Sequence, residues 1–201
     1  MIITFYNDKI NPVIVESQKK VFEHFGLTIH QIKPDEWRGH GGSIDYFIQN
    51  HKKRWDYILL MDIDCIPLDK DIVPETIEWI MNNDGLFSVA QKASHIPNSI
   101  VYASPAYLGF SRKTYDLLGR PTFGCTDRSD CAGELTYISH EKGLEVKLLY
   151  PTEVEIPRWD LNENIKFGTG TNYENRVYHY FESRKNRQDN FIKKCKSIYE
   201  S

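Results

Sequence analysis

At 201 residues, 40% of them apolar and 26% charged, the chain is long enough for one domain with its own core and too short for two with a linker. A formal net charge of −3 excludes the basic balance of a nucleic-acid binder and the charge run of an acidic tail protein. No 18-residue apolar window exists to span a membrane, and "MIITFYND" runs into a strand-like segment with no basic leader. The four cysteines, at 65, 125, 131 and 195, show no CxxC spacing, so neither a zinc site nor a disulfide framework is implied. The expectation is a soluble cytoplasmic protein with reduced thiols, in a host cytoplasm were the chain viral.

Elements alternate along the first half. "IITFY" (2–6) reads as a short apolar strand. A helix follows whose apolar positions Ile14, Val21, Phe22 and Phe25 share one face, with Gly26 as its stop. "LTIHQI" (27–32) alternates with period two and predicts a second strand. After the glycine-rich loop "RGHGG", Ser43 is placed to cap a helix running to about His51. "DYILLM" supplies a third strand, apolar enough to sit centrally in a parallel sheet. Val73, Ile77, Ile80 and Met81 form the next helical stripe, and "GLFSVAQ" (85–91) the next strand. This order predicts a doubly wound α/β domain with right-handed crossovers.

The second half is less regular. "AYLGF" (106–110) predicts a strand and "SRKTYDLLG" a short helix between Ser111 as N-cap and Gly119 as stop. "PTFGCTDRSD" is turn-rich; a helix from about Cys131 to Lys142, ended by Gly143, leads to the alternating strand "LEVKLLY". The last third reads as a loop, "NENIKFGTGTN", an alternating segment, "RVYHYF", and a basic tail with Lys193, Lys194 and Lys196. That tail predicts a solvated terminal helix, since acids interleave and its apolar face is thin. The expected organisation is one domain over 1–201, with halves 1–92 and 93–182 and a tail 183–201.

The chemistry concentrates in "DYILLMDIDCIPL" (56–68), where a run from Tyr57 to Met61 ends abruptly in Asp62 and Asp64. Ligands of open α/β sheets bind outside the carboxyl ends of the strands. Residues two apart in a strand point to one side, so both carboxylates are placed to face one ligand. Two carboxylates together with diphosphate oxygens suit a hard divalent cation. The plainer alternative is one acid at a strand end and another opening a turn before Pro67.

"YILLMDIDCIPL" resembles the DxD segment of GT-A glycosyltransferases, which move a sugar from a nucleotide-sugar with Mn²⁺ or Mg²⁺ on the diphosphate. "GHGGSIDYFIQ" upstream is similar to the loop and helix before that motif, and "SPAYLGFSRKTYDLLG" and "SDCAGELTYISHEKGLEV" to the segments after it. The resemblance runs from the N-terminus to about residue 182. It implies the Rossmann-like GT-A fold, a mixed, mostly parallel sheet flanked by helices. It also implies a nucleotide-sugar donor, UDP-linked first and GDP-linked second, and a carbohydrate or glycoconjugate acceptor. Carried over by residue, Asp64 binds the metal, Asp62 the metal or the ribose, and His179 completes the metal shell. An ordinary strand histidine is the alternative for His179. Tyr6, Asn7 and Asp8 would meet base and ribose, although Asn7-Asp8 is also a plain turn. His40 and Gly42 would approach the nucleotide, or be no more than a turn and a cap. Asp130 is the leading general base for an inverting course, with Asp127 and Glu134 behind it; an aspartate there is also a common helix cap.

Rival readings exist. A HAD-type phosphohydrolase also carries DxD after an apolar strand, but it expects Thr or Val where Ile66 stands, and the motif on its first strand. A nucleotidyltransferase would open with a glycine- and arginine-rich phosphate loop, which "YNDKINPVI" is not. An inactive glycan-binding domain of the same fold is the non-enzymatic alternative.

Overall fold

The computed structural model describes residues 1–51, 55–181 and 188–200. The chain begins as the apolar pattern predicts, with β1 (Ile2–Phe5) and α1 (Pro12–His24). The Asn11 side chain accepts from Val13 N at 3.0 Å to cap α1. At its other end Gly26 N donates to Glu23 O and Leu27 N to Phe22 O, a Schellman stop. Leu27 is thereby spent on the cap, so β2 is only His30–Ile32 rather than the whole of 27–32.

The next helix, α2 (His40–Asn50), starts three residues before the expected cap. Ser43 lies buried inside it, its Oγ accepting from Arg38 N at 3.4 Å. Gly41 and Gly42 belong to the helix and not to a loop, while Gly39 is its N-cap. A Cβ on Gly41 would stand 2.2 Å from Phe123 O, so only glycine allows that backbone to press against the first turn.

Then come β3 (Tyr57–Met61), a short β4 (Cys65–Pro67), α3 (Ile72–Asn82), β5 (Gly85–Lys92) and β6 (Val101–Ser111). Next are α4 (Arg112–Leu117), α5 (Gly133–Glu141) and β7 (Glu145–Leu149). Six strands make one sheet in the order β2-β1-β3-β6-β5-β7. All run one way except β6, which pairs antiparallel with both β3 and β5. The sheet is therefore mixed and mostly parallel, flanked by helices, and β3 is central as its apolar run predicts. Apolar side chains cover both its faces: Ile3, Ile58, Leu60 and Phe110 pack with Ile44 of α2, while Leu59, Met61 and Tyr107 pack with Val73 and Ile80 of α3. Ser111 caps α4 through Thr114 N at 3.0 Å, as expected. By contrast α5 starts at Gly133, after Ala132 at φ 61° and without a side-chain cap.

A second sheet corrects the reading of the last third. Residues 151–160 form β8 (Pro151–Asp160), and the segment read as a loop holds all but the last residue of β9 (Lys166–Tyr173). With β10 (Val177–His179) and β4 they make a four-stranded antiparallel sheet, β4-β10-β9-β8. The glycine that signalled a loop serves close approach instead: a Cβ on Gly168 would meet Ile156 O at 2.2 Å. Finally α6 (Gln188–Tyr199) is not solvated all round. Phe191 and Cys195 are fully buried with Ile14 and Val21 of α1 and with Tyr180. Residues 182–187, the start of the expected basic tail, lie outside the described part.

Candidate metal and donor site

The two sheets meet at the DxD segment. Asp62 N donates to Ala106 O at 3.1 Å, the last link of β3 to β6, and Cys65 N donates to Asp62 O at 3.0 Å. Residues 62–65 are thus a tight turn joining β3 to β4, not a continued strand. The carboxylates converge through that turn and not through the two-residue period of a strand, a correction to the sequence argument. From α1, Gln18 grips the turn, its Nε2 donating to Asp62 O at 2.8 Å and to Cys65 O at 2.9 Å. Gln18 is fully buried, and its visible signal was a polar residue within the apolar stripe of α1.

His179 arrives by register. It pairs with Cys65 across β10 and β4, and Tyr180 N donates to Asp64 O at 2.9 Å. Its Nε2 lies 3.3 Å from Asp62 Oδ2 and 3.4 Å from Asp64 Oδ1, and one donor atom from each of the three falls within 4.8 Å of the others. His179 is 2% exposed and Asp64 7%, whereas Asp62 is half-buried. Burial alone would depress the imidazole, but hydrogen bonds and charge from Asp62 and Asp64 outweigh it and raise its pKa to about 9. Two carboxylates and one imidazole fit a divalent cation, and the imidazole favours Mn²⁺ over Mg²⁺. On the other side His40, at the first residue of α2, places Nε2 3.4 Å from Asp62 Oδ1. The two oxygens of Asp62 are thus divided between His179 and His40.

Asp130 sits in a loop that borders this centre. Asp45 of α2 takes hydrogen bonds from Thr122 Oγ1 at 2.6 Å and Phe123 N at 3.0 Å, and Phe123 O accepts from Ala132 N at 3.0 Å. The loop is therefore closed at its neck and tied to the helix that carries His40. Burial raises the Tyr102 phenol well above its usual range, and Asp130, Cys131 and Asp62 add to the effect, so these groups share one neighbourhood. Asp130 does not cap α5. Its Oδ1 accepts from Cys131 N at 2.8 Å and from the Cys125 thiol at 3.3 Å. Asp127 is exposed. Glu134 is clasped by Arg128, which also pairs with Glu141 at 2.7 Å. The Arg128 hydrogen bonds hold the Glu134 carboxyl below the ordinary carboxylate range.

The remaining expected residues stand near the carboxyl end of β1. Tyr6 N donates to Ile32 O at 3.1 Å, Asn7 Oδ1 accepts from Lys9 N in a turn, and exposed Asp8 pairs with Lys33. A cleft of about 370 Å³ opens beside them at the ends of β1 and β2, with Phe5, Ile32, Asp35, Tyr46 and Phe47 in its walls. Gly42 lies in the first turn of α2. Among the described residues no helix is long and apolar enough to cross a membrane.

No protein-family model matches the sequence, and no curated protein matches it. Solved structures do. A mannosyltransferase from Pyrobaculum calidifontis, solved with GDP-Man and Mn²⁺, is 12% identical at a TM-score of 0.51, covering 83% of this chain and 55% of its own. This chain thus spans about half the length of that enzyme. A197 from STIV matches over 90% of this chain and 94% of its own, at 9% identity and a TM-score of 0.49. A Drosophila β-1,4-galactosyltransferase 7 mutant, solved with manganese, UDP-Gal and xylobiose, covers 94% of this chain and 79% of its own, at 14% identity and a TM-score of 0.47. The fold is GT-A-like, that of the nucleotide-diphospho-sugar transferases, and at these identities the likeness is one of fold.

Proposed function

We propose that the protein is a metal-dependent glycosyltransferase that moves a sugar from a nucleotide-sugar, UDP-linked first and GDP-linked second, to a hydroxyl of a carbohydrate or glycoconjugate. The observation that carries this reading is the triad of Asp62, Asp64 and His179, gathered within 4.8 Å where the central strand of a GT-A-like sheet ends. Asp64, His179 and Asp62 would hold Mn²⁺ or Mg²⁺, which when bound supplies Lewis-acid stabilisation of the departing diphosphate. His40 orients Asp62 by taking one of its two oxygens. Tyr6, Asn7, Asp8 and Gly42 form the nucleoside side, beside the cleft at the ends of β1 and β2. In this reading residues 1–92 are the donor half, 93–182 the acceptor half and 183–201 a basic tail.

On the acceptor side Asp130 accepts the hydroxyl proton as that oxygen bonds to the anomeric carbon and the bond to the diphosphate oxygen breaks, an inverting course. Asp130 suits the role better than Glu134, whose Arg128 clamp makes it a weaker base, and better than exposed Asp127.

The test is a panel of nucleotide-sugars offered with Mn²⁺, followed by thermal shift and by slow donor hydrolysis. At least one donor is expected to bind only with metal, and Asp64→Ala to abolish that binding while the protein stays folded. Cleavage of a generic phosphate monoester, with no nucleotide-sugar bound, would instead establish the phosphohydrolase reading. Asp64→Ala retaining metal-dependent donor affinity would remove Asp64 from the site.

A further inference from the structure

The far side of the His179 ring faces a residue with no role in the site as described. Gln91, the penultimate residue of β5, is 7% exposed, and its amide Nε2 lies 3.5 Å from His179 Nδ1. Among the described residues it is the only hydrogen-bond partner of Nδ1. The long sheet thus supplies Gln91 while the short sheet supplies His179.

We infer that Gln91 is a positioning residue: its side-chain amide is the hydrogen-bond partner that fixes the rotation and tautomer of His179 and keeps Nε2 turned towards Asp62 and Asp64. The inference rests on the metal reading of the triad for its purpose but not for its geometry. An imidazole that gives Nε2 to a cation carries its hydrogen on Nδ1, and that hydrogen needs an acceptor. An imidazolium between two carboxylates needs the same acceptor, because both its nitrogens donate. Gln91 supplies one when its amide presents Oε1, an orientation equivalent in shape to the one drawn with Nε2 nearest.

The surroundings hold the ring in place. Phe181, with its ring centroid 4.0 Å from that of His179, packs on the imidazole and blocks it from tilting away.

The experiment compares wild type, Gln91→Met and Gln91→Glu, each first shown folded by its melting transition. Mn²⁺ affinity is read by electron paramagnetic resonance. The ¹⁵N signals of labelled His179 are read without metal and with diamagnetic Mg²⁺. Loss of an outer-shell partner weakens metal binding by about 10- to 100-fold, so Gln91→Met is expected to do so. Gln91→Glu, which keeps the acceptor, is expected to stay within about threefold of wild type, well inside that range. The Nδ1 signal is expected to move in Gln91→Met and to return in Gln91→Glu. Unchanged His179 signals in Gln91→Met would overturn the inference, as would wild-type Mn²⁺ affinity in that variant. Should wild type itself bind no Mn²⁺ or Mg²⁺, the metal reading fails separately. The metal-free ¹⁵N spectra still decide the Gln91 contact.

Discussion

The two acidic regions of the molecule are built by opposite means. The Asp62–Asp64 turn is fixed from three sides: by β3 and β6 at its start, by β4 and β10 at its end, and by buried Gln18 beneath. The Asp130 loop lies between elements, closed at its neck by one backbone bond and moored by Asp45. Ordered backbone pairing suits a group that must hold an ion at fixed distances, while a moored loop suits one that meets a variable acceptor. In the proposed reading, donor chemistry falls to the rigid junction and acceptor chemistry to the loop.

The largest effect that would break this division is on the loop side. Asp130→Asn keeps the size of the side chain and the oxygen that accepts from Cys131 N but removes the base. Donor and metal affinity are expected to stay at wild-type values while the transfer rate falls by about 10²- to 10⁴-fold, the range general-base removal costs. Undiminished transfer with Asp130→Asn would move the role to Asp127 or Glu134, or indicate a retaining course. Lost donor binding would show that the loop belongs to the rigid side after all.

How much of each region was legible follows from the same contrast. The Asp62–Asp64 junction announces itself locally, because five residues from Tyr57 to Met61 are paired in the sheet and the acids begin where pairing stops. The partners of the junction do not. His179 reaches Asp64 through the register of β10 on β4, 114 residues apart in the case of Cys65 and His179 (179 − 65), and no local pattern encodes that pairing. The strand β8 is exposed along most of its length and β9 carries Gly168 and Gly170, so neither shows an apolar alternation. The antiparallel β6 between β3 and β5 was equally hidden, since strand direction is not written in composition.

A smaller effect tests the joint between the two regions. Helix propensity alone favours Gly41→Ala by about 1 kcal/mol. The added methyl would stand 2.2 Å from Phe123 O, a backbone atom that cannot swing aside. Overpacking of this kind costs about 1–3 kcal/mol, so the clash is expected to win and lower the unfolding free energy in a denaturant titration. Gly42→Ala, whose methyl would meet only Arg38 Cβ at 3.2 Å, is the matched control and is expected to be no less stable than wild type, gaining up to about 1 kcal/mol from helix propensity. A stabilised Gly41→Ala would mean that the loop yields freely and is not moored to α2.

The smallest effect concerns the proton that the rigid junction holds. Burial lowers the His179 pKa, yet Asp62 and Asp64 raise it to about 9, above the 6.5 of a free imidazole. The raised value means that this proton stabilises the fold fully below pH 6.5 and that its contribution is lost as pH climbs through about 9. A cation taking Nε2 must displace the same proton, so metal binding and the imidazolium compete. Mn²⁺ affinity is therefore expected to rise by up to about tenfold per pH unit between pH 7 and 8.5, one proton being released per ion bound. Calorimetry in two buffers of different ionisation enthalpy counts that proton directly. His179→Gln is expected to bind Mn²⁺ more weakly and to release no such proton. A flat affinity profile in wild type would place the cation on the two carboxylates without the imidazole, and the second sheet would then contribute no ligand to the site.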